Sequence, residues 1–127
     1  MRIYLSAPYS SGKLRWTERM LALGSALLDR GHAPFVPHLT HFWDYVHPQS
    51  YETWLAYDLE WLRQCDLVIR LEGHSPGADR EVEEALRCGI PVVKVSLDAV
   101  AGDSGEVRSL AQLLGALDDK AELPLDV

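Results

Sequence analysis

The fold is decided by residues 66–96, DLVIRLEGHSPGADREVEEALRCGIPVVKVS. Two short apolar runs in this stretch, Asp66–Leu71 and Pro91–Ser96, are bounded by turn residues, as buried strands usually are. Between them, Gly77–Cys88 has apolar residues at helical spacing and is followed by Gly89, a residue that often comes directly after a helix. A strand, a helix and a second strand in this order predict two parallel strands joined by a crossover helix.

The same alternation of strands and helices extends over the rest of the chain. We predict strands at Arg2–Ala7 and Ala33–Pro37, and helices at Lys13–Arg30, Tyr51–Gln64 and Glu106–Leu117. Two prolines, Pro34 and Pro37, indicate that the second strand is short or lies near an edge, since proline cannot donate to a strand ladder. The strands lack in/out alternation, which is typical of a parallel sheet covered on both faces. We therefore expect one α/β domain over residues 1–127, three-layered and of the Rossmann or flavodoxin type, with a mostly parallel sheet of four to five strands.

The segment His38–Ser50 is rich in aromatic residues and histidine but has no clear periodicity, so we predict a loop. Three histidines in it, His38, His41 and His47, raise the question of a metal site. Their spacing is irregular and lacks a strong ligand pattern, whereas a metal site needs three or four convergent ligands. We therefore expect no metal, and no other cofactor is indicated.

Composition and charge exclude several classes of function. The formal net charge of −7 leaves no basic face for the phosphate backbone of a nucleic acid polymer. No apolar run approaches the ~20 residues that span a bilayer, and no targeting segment is visible. The two cysteines favour a reduced, intracellular protein. We expect a soluble cytoplasmic protein that binds neither nucleic acid polymers nor membranes.

Two acidic residues interrupt apolar helical stripes and are the first candidates for chemistry. The inward stripe of the Gly77–Cys88 helix is expected to contain Ala78, Val82, Ala85 and Leu86. Glu81 lies three residues after Ala78 and four before Ala85, so it points the same way. Glu81 could instead serve only the helix macrodipole, which favours acids in the first turn.

Asp58 has the corresponding position on the Tyr51–Gln64 helix, since it follows Leu55 by three residues and precedes Leu62 by four. An ionised carboxylate facing a core is costly unless it is paired, hydrogen-bonded or beside a cavity. Asp58 could be paired with Arg63 or Arg70, which would make it structural. Two inward carboxylates near one crevice also resemble the pair used in retaining glycosidic chemistry.

The sequence around both carboxylates resembles a known superfamily. Residues 75–81, SPGADRE, followed by Ala85, are similar to the S-x-G-x-x-x-E-x-x-x-A signature of the nucleoside 2-deoxyribosyltransferase-like superfamily. That superfamily includes nucleoside 2-deoxyribosyltransferases, nucleoside 5′-monophosphate N-glycosidases and small phage and bacterial proteins. Residues 58–66, DLEWLRQCD, look like its D-x7-D segment, and Ile3–Ala7 looks like its first strand and nucleotide-binding loop.

The resemblance implies catalytic roles for three residues. Glu81 corresponds to the nucleophile that attacks the anomeric carbon of the sugar. Asp58 corresponds to the acid that contacts the sugar or assists departure of the base, and Tyr4 lies in the matching first strand. Substrate contacts are implied for Ser6, Ala7, Ser10, Ser75 and Gly77. The expected partner is a small nucleoside or nucleotide, and the expected assembly is a homodimer or a higher homo-oligomer.

Three functions remain open at this stage. Ser75 favours hydrolysis of a nucleoside 5′-monophosphate. Deoxyribosyltransferases commonly carry an acid six residues before the nucleophile, whereas the monophosphate N-glycosidases resemble this chain in having a phosphate-contacting serine there. Their Arg- and Gly-rich phosphate loop is replaced here by residues 8–13, PYSSGK, and the tail cannot be matched to the transferases. Base exchange and a non-catalytic nucleotide sensor are the alternatives. Trp43, with Phe42 and Tyr45, either stacks on the nucleobase or packs a subunit contact.

Overall fold

The computed structural model describes residues 1–8, residues 13–96 and residue 115. Strands and helices alternate along the described chain. The strands are β1 (Arg2–Ser6), β2 (Ala33–Phe35), β3 (Leu67–Leu71) and β4 (Val92–Val95). The helices are α1 (Lys13–Asp29), α2 (Thr40–Val46), α3 (Tyr51–Leu62) and α4 (Pro76–Arg87), with one 3₁₀ turn at Pro37–Leu39. The predicted helix at Glu106–Leu117 lies outside the described residues, except for Gly115, which is helical.

The four described strands form one parallel sheet in the order β2-β1-β3-β4. β1 and β3 lie in the centre, where every residue of β3 is buried. β2 has only three residues and lies at an edge, as its prolines predict. The prediction of an α/β domain with a parallel Rossmann-like sheet is confirmed.

Each face of the sheet has its own hydrophobic core, which makes the fold three-layered. On one face, Ile3, Leu5 and Ile69 pack with the α1 stripe of Met20, Leu23 and Leu27, all fully buried. On the other face, the core joins the strands to α3, to α4 and to the segment after α4; it contains Tyr4, Val68, Val92, Leu62, Ala85 and Ile90. The alternate residues of β1 that face α3 and α4 are therefore Tyr4 and Ser6.

Two predictions about local structure are wrong. The segment His38–Ser50 is not a loop, since it contains the end of the 3₁₀ turn and α2. α2 has seven residues, and its apolar side chains are mostly exposed, so no amphipathic period marked it as a helix. Leu86 is 45% exposed and does not belong to the inward stripe of α4, whose buried residues are Ala78, Glu81 and Ala85.

Within the described part of the chain, no helix is both long and apolar enough to cross a bilayer.

Candidate active site

The candidate active site lies on the α3–α4 side of the sheet, toward the carboxyl ends of β1 and β3. Tyr4 and Ser6 project from β1, Asp58 from the second half of α3, and Glu81 from the second turn of α4. In open parallel sheets the crevice beyond the strand ends is the usual ligand site. Residues far apart in sequence therefore meet in one place.

Glu81 is held between two hydroxyl donors. It is 7% exposed, and its Oε2 accepts a short hydrogen bond from the phenol of Tyr4, while its Oε1 accepts one from Ser6 Oγ at 2.8 Å. Tyr4 is fully buried, and its ring stacks on Phe35 with centroids 5.5 Å apart. Charge-assisted hydrogen bonds of this kind fix the orientation of a carboxylate.

Asp58 is buried but has no comparable support. It is 8% exposed, and among the described residues its Oδ1 has no hydrogen-bond partner. Arg63 contacts Glu60 and Glu84 instead. The alternative of a structural pairing with Arg63 is thus not supported by the described contacts.

Arg70 does not neutralise Asp58 either. Its guanidinium donates to the carbonyl oxygens of Leu71 and Gly73 and contacts Asp79 Oδ1 at 3.2 Å. A buried carboxyl oxygen that faces a cleft without a partner is suited to donating or accepting a proton there.

Burial shifts the ionisation of both carboxyl groups. Burial, and secondly the charge of Glu81, raise the pKa of Asp58 to about 8. Burial raises the pKa of Glu81 to about 7, against the lowering effect of the hydrogen bonds from Tyr4 and Ser6 and of the charge of Arg70. Burial also raises the pKa of Tyr4 well above its usual value, so the phenol keeps its proton and donates it. Near neutral pH the pair therefore shares one proton, which resides mainly on Asp58 because Glu81 has the two donors.

A cleft of about 600 Å³ opens over this pair, a volume suited to a small organic ligand. Of the predicted site residues, Ala7, Asp58, Ser75, Gly77 and Glu81 line it. Tyr4 and Ser6 contact Glu81 from the sheet side. Ser10 lies outside the described residues.

Trp43 is placed away from the cleft wall. It is 48% exposed, and its ring packs edge-on against Trp54 and Tyr57, with centroids 5.1 and 5.5 Å away. It is Trp54 that lines the cleft, where its Nε1 donates to Asp44 Oδ1 at 2.6 Å. Trp43 therefore supports Trp54 from outside.

The start of α4 forms one wall of the cleft. Ser75 is the N-cap, and its Oγ accepts a hydrogen bond from Ala78 N at 3.1 Å. Pro76 follows as the first helical residue and has no N–H. Gly77 lies against Tyr51, since a Cβ at this position would be 2.7 Å from the Tyr51 hydroxyl oxygen. The glycine thus permits close contact between the N-terminal ends of α3 and α4.

Several residues of the cleft were not predicted from the sequence. Thr40, Asp44, Gln49, Tyr51 and Trp54 line it as well. Thr40 and Asp44 belong to α2, which was predicted as a loop, and no spacing in the sequence marked the other three. Only the aromatic residues of the segment, which were candidates for stacking on the nucleobase, indicated its location.

The three histidines of this region do not form a metal centre. His38 and His41 line the cleft, whereas His47 is exposed at the end of α2. His38 is buried, and its Nε2 lies 2.9 Å from the carbonyl oxygen of Pro8. Burial lowers the pKa of His38, so it is neutral near pH 7 and its Nε2 carries the donated proton. In the described ranges no group of three or more histidine, cysteine or acidic residues could hold a metal ion.

Solved structures with this architecture include two proteins with named activities. A 2-deoxyribosyltransferase from Bacillus psychrosaccharolyticus is 23% identical, covers 76% of this chain and 72% of its own length, and superposes with a TM-score of 0.56. The CMP N-glycosidase BcmB from Clostridium botulinum is 20% identical over 88% of this chain and 82% of its own, with a TM-score of 0.55.

A third similar structure is a conserved protein from Enterococcus faecalis V583, 21% identical over 97% of this chain and 77% of its own, with a TM-score of 0.57. No curated protein matches the chain. Residues 1–95 match the family described as Domain of unknown function (DUF7768). The chain therefore belongs to that family, and it shares its fold with the 2-deoxyribosyltransferase and the CMP N-glycosidase.

Proposed function

We propose that the protein is an N-glycosidase that hydrolyses the base–sugar bond of a nucleoside or a nucleoside 5′-monophosphate through a covalent glycosyl-Glu81 intermediate. The observation that carries the proposal is the carboxyl pair, in which Glu81 is oriented by Tyr4 and Ser6 while Asp58 retains a proton beside it. Two carboxyl groups in different protonation states are what retaining glycosidic chemistry requires.

In the first step the Glu81 carboxylate bonds to the anomeric carbon while the bond from that carbon to the base nitrogen breaks. The electron pair of the broken bond stays on the nitrogen, which takes the proton of Asp58. A positioned carboxylate replaces a bimolecular collision, and the covalent ester divides one difficult displacement into two.

In the second step Asp58, now ionised, takes a proton from water as the water oxygen attacks the anomeric carbon. The ester bond to Glu81 breaks, and the carboxylate returns to the hydroxyl groups of Tyr4 and Ser6. The sugar leaves with its original anomeric configuration. Two solved structures of similar fold support this choice, since one is a 2-deoxyribosyltransferase and the other a CMP N-glycosidase.

Among the described residues, the lining of the cleft favours a substrate with an uncharged 5′ end over its phosphorylated form. Asp44, Asp58 and Glu81 are all acidic, and two unit charges remain on them when the pair holds one proton. At the start of α4, Pro76 has no N–H, and the N–H of Ala78 is bound to the N-cap, so fewer amides are left for an anion. A dianionic phosphate meets repulsion here that a free hydroxyl does not.

A base-release screen tests the proposal. Purified protein is incubated with nucleosides and their 5′-monophosphates, in ribo and deoxy forms, and free base is measured by chromatography. We expect release by the wild type, a loss of at least 1000-fold in Glu81→Ala and Glu81→Gln, and nearly full activity in Glu83→Gln, which changes an exposed residue of the same helix.

The same screen distinguishes the alternatives. Equal release of base by the wild type and by Glu81→Ala would contradict the assignment of Glu81 as the nucleophile. Tight binding of a nucleotide without release by either protein would favour a non-catalytic sensor. With an acceptor base added, formation of a new nucleoside would identify a transferase, whereas a hydrolase gives free sugar in both conditions.

We also propose that the enzyme is a homodimer or a higher homo-oligomer, as the sequence resemblance implies. The exposed apolar side chains of Leu39, Phe42 and Tyr45 on and beside α2 favour this, because such groups are enriched at subunit contacts. Sedimentation of the wild type and of Phe42→Glu should give an oligomer and a monomer, respectively. A monomeric wild type at micromolar concentration would contradict the proposal.

A further inference from the structure

Arg70 is a buried cation that the sequence analysis considered only as a partner of Asp58. It is the fourth residue of β3, is 6% exposed, and is paired in register with Ser6 of β1. Neighbouring residues of parallel strands project to the same face, so Arg70 lies on the side of the sheet that holds Ser6 and Glu81.

The guanidinium of Arg70 binds several groups in the connection between β3 and α4. It donates to the carbonyl oxygen of Leu71 and, at 2.8 Å, to that of Gly73. It also contacts Asp79 Oδ1 at 3.2 Å, in the first turn of α4. The fork of an arginine can hold several acceptors in a fixed plane, so this side chain sets where α4 begins relative to the strand.

Two residues beyond Asp79, the same helix carries Glu81. We propose that Arg70 is a positioning residue for the glycosidic site: it anchors the start of α4 and places its positive charge on the face of the sheet that holds Glu81. This inference rests on the proposed function for its catalytic meaning, but its effect on Glu81 can be measured without any substrate.

The charged and titratable groups around Glu81 come from three other elements. Tyr4 and Ser6 face it from β1, Asp58 from α3 and Arg70 from β3. Tyr4 and Ser6 donate neutral hydrogen bonds and Asp58 is acidic, so Arg70 is the cation of this set. Its charge lowers the pKa of Glu81 and so opposes the effect of burial.

Arg70 also lines a second cavity, of about 430 Å³, beside α4. Glu72, Asp79, Glu83 and Lys94 are the other charged residues there. Asp79 is the acid in contact with the guanidinium, and it partly offsets the positive charge that Glu81 experiences. Removing Arg70 and removing Asp79 should therefore shift the ionisation of Glu81 in opposite directions.

Carbon-13 NMR titration of the glutamate side-chain carboxyl groups tests this, with the Glu81 signal assigned by its loss in Glu81→Gln. In Arg70→Met the pKa of Glu81 should rise, because the positive charge that opposes the effect of burial is lost. In Asp79→Asn it should fall. Arg80→Met is the matched control, since it removes an exposed cation that pairs with Glu52, and it should leave the titration of Glu81 unchanged.

Arg70→Lys separates charge from geometry. Lysine keeps the positive charge but loses the fork, so the pKa of Glu81 should stay near its wild-type value, while amide exchange in residues 72–79 should become faster. If Arg70→Met does not fold, Asp79→Asn and Arg70→Lys still give the required directions.

Three results would overturn the inference: an unchanged Glu81 titration in folded Arg70→Met, a raised or unchanged pKa in Asp79→Asn, or a large rise in Arg70→Lys. In the base-release assay, the acid limb of the pH profile of Arg70→Met should shift to higher pH, as the pKa of Glu81 measured by NMR does. Failure of the wild type to release any base, with the NMR shifts as expected, would instead contradict the proposed function and leave the control of Glu81 by Arg70 in place.

Discussion

The hydrogen bond from Tyr4 to Glu81 is the contact whose loss has the most specific expected consequence. Tyr4→Phe removes the phenolic donor and keeps the ring that stacks on Phe35. Because the Glu81 carboxylate then has one hydroxyl donor instead of two, its ionised form is less stable and its pKa rises. The acid limb of the activity profile should therefore move to higher pH.

The size of this effect follows from the environment of the pair. A hydrogen bond to a charged group contributes about 1.5–3 kcal/mol, which corresponds to about one to two pKa units. With the pKa of Glu81 at about 7 and that of Asp58 at about 8, the shared proton prefers Asp58. Tyr4→Phe therefore raises the pKa of Glu81 to that of Asp58 or above it. Base release near pH 7.5 should fall about 2- to 10-fold from proton position alone.

The assay is the initial rate of base release between pH 5 and 9 for the wild type, Tyr4→Phe and Tyr57→Phe. Tyr57→Phe makes the same chemical change in the aromatic cluster beside the cleft and should keep the wild-type profile. Ser6→Ala should shift the acid limb in the same direction as Tyr4→Phe, since Ser6 donates to the other oxygen of Glu81. An equal loss of activity at every pH in Tyr4→Phe, or a shift to lower pH, would refute the reasoning.

Three further predictions concern the cleft wall and the buried acid. Gly77→Ala should raise KM, because the added Cβ displaces the exposed ring of Tyr51, and it should change the unfolding free energy by less than about 1 kcal/mol. In a double-mutant cycle, adding Tyr51→Phe to Gly77→Ala should raise KM no further. Ser75→Ala should lower the unfolding free energy by about 0.5–2 kcal/mol through loss of the α4 N-cap, measured by denaturant unfolding. Burial and the charge of Glu81 raise the folded-state pKa of Asp58 to about 8, above an unfolded value of about 4, so this group costs stability as pH rises between those values. Asp58→Asn should consequently be more stable than the wild type at pH 8 but not at pH 4, and equal differences at both would contradict the linkage.

The sheet and its main helices could be predicted from the sequence because their patterns are set by burial on both faces. The spacing of Met20, Leu23 and Leu27 fits a helix with one buried face, and the apolar run of β3 fits a buried strand. Element ends differed by one or two residues, since helix ends fray and turn residues fit both states.

The carboxyl pair could also be located, because Glu81 and Asp58 each interrupt a stripe that is otherwise apolar. The rest of the site could not. Tyr51, Trp54 and Asp44 reach the cleft only through the packing of α2 and α3, and α2 has no amphipathic period to indicate its direction. Arg70 lies in an apolar strand, and no local pattern reveals that its partners are the carbonyl groups of the following turn.

The central claim is that Glu81 forms a covalent bond with the sugar, and mass spectrometry of the working enzyme tests it most directly. Wild-type protein is mixed with a substrate found in the base-release screen, quenched in acid within milliseconds to seconds, and digested. If Glu81 is the nucleophile, a peptide containing Glu81 should carry the added mass of the sugar. Fragmentation should place that mass on the Glu81 side chain, and Glu81→Gln should give no adduct. Base release at full rate with no sugar on Glu81, or with the sugar on a different residue, would contradict the role of Glu81 as the nucleophile.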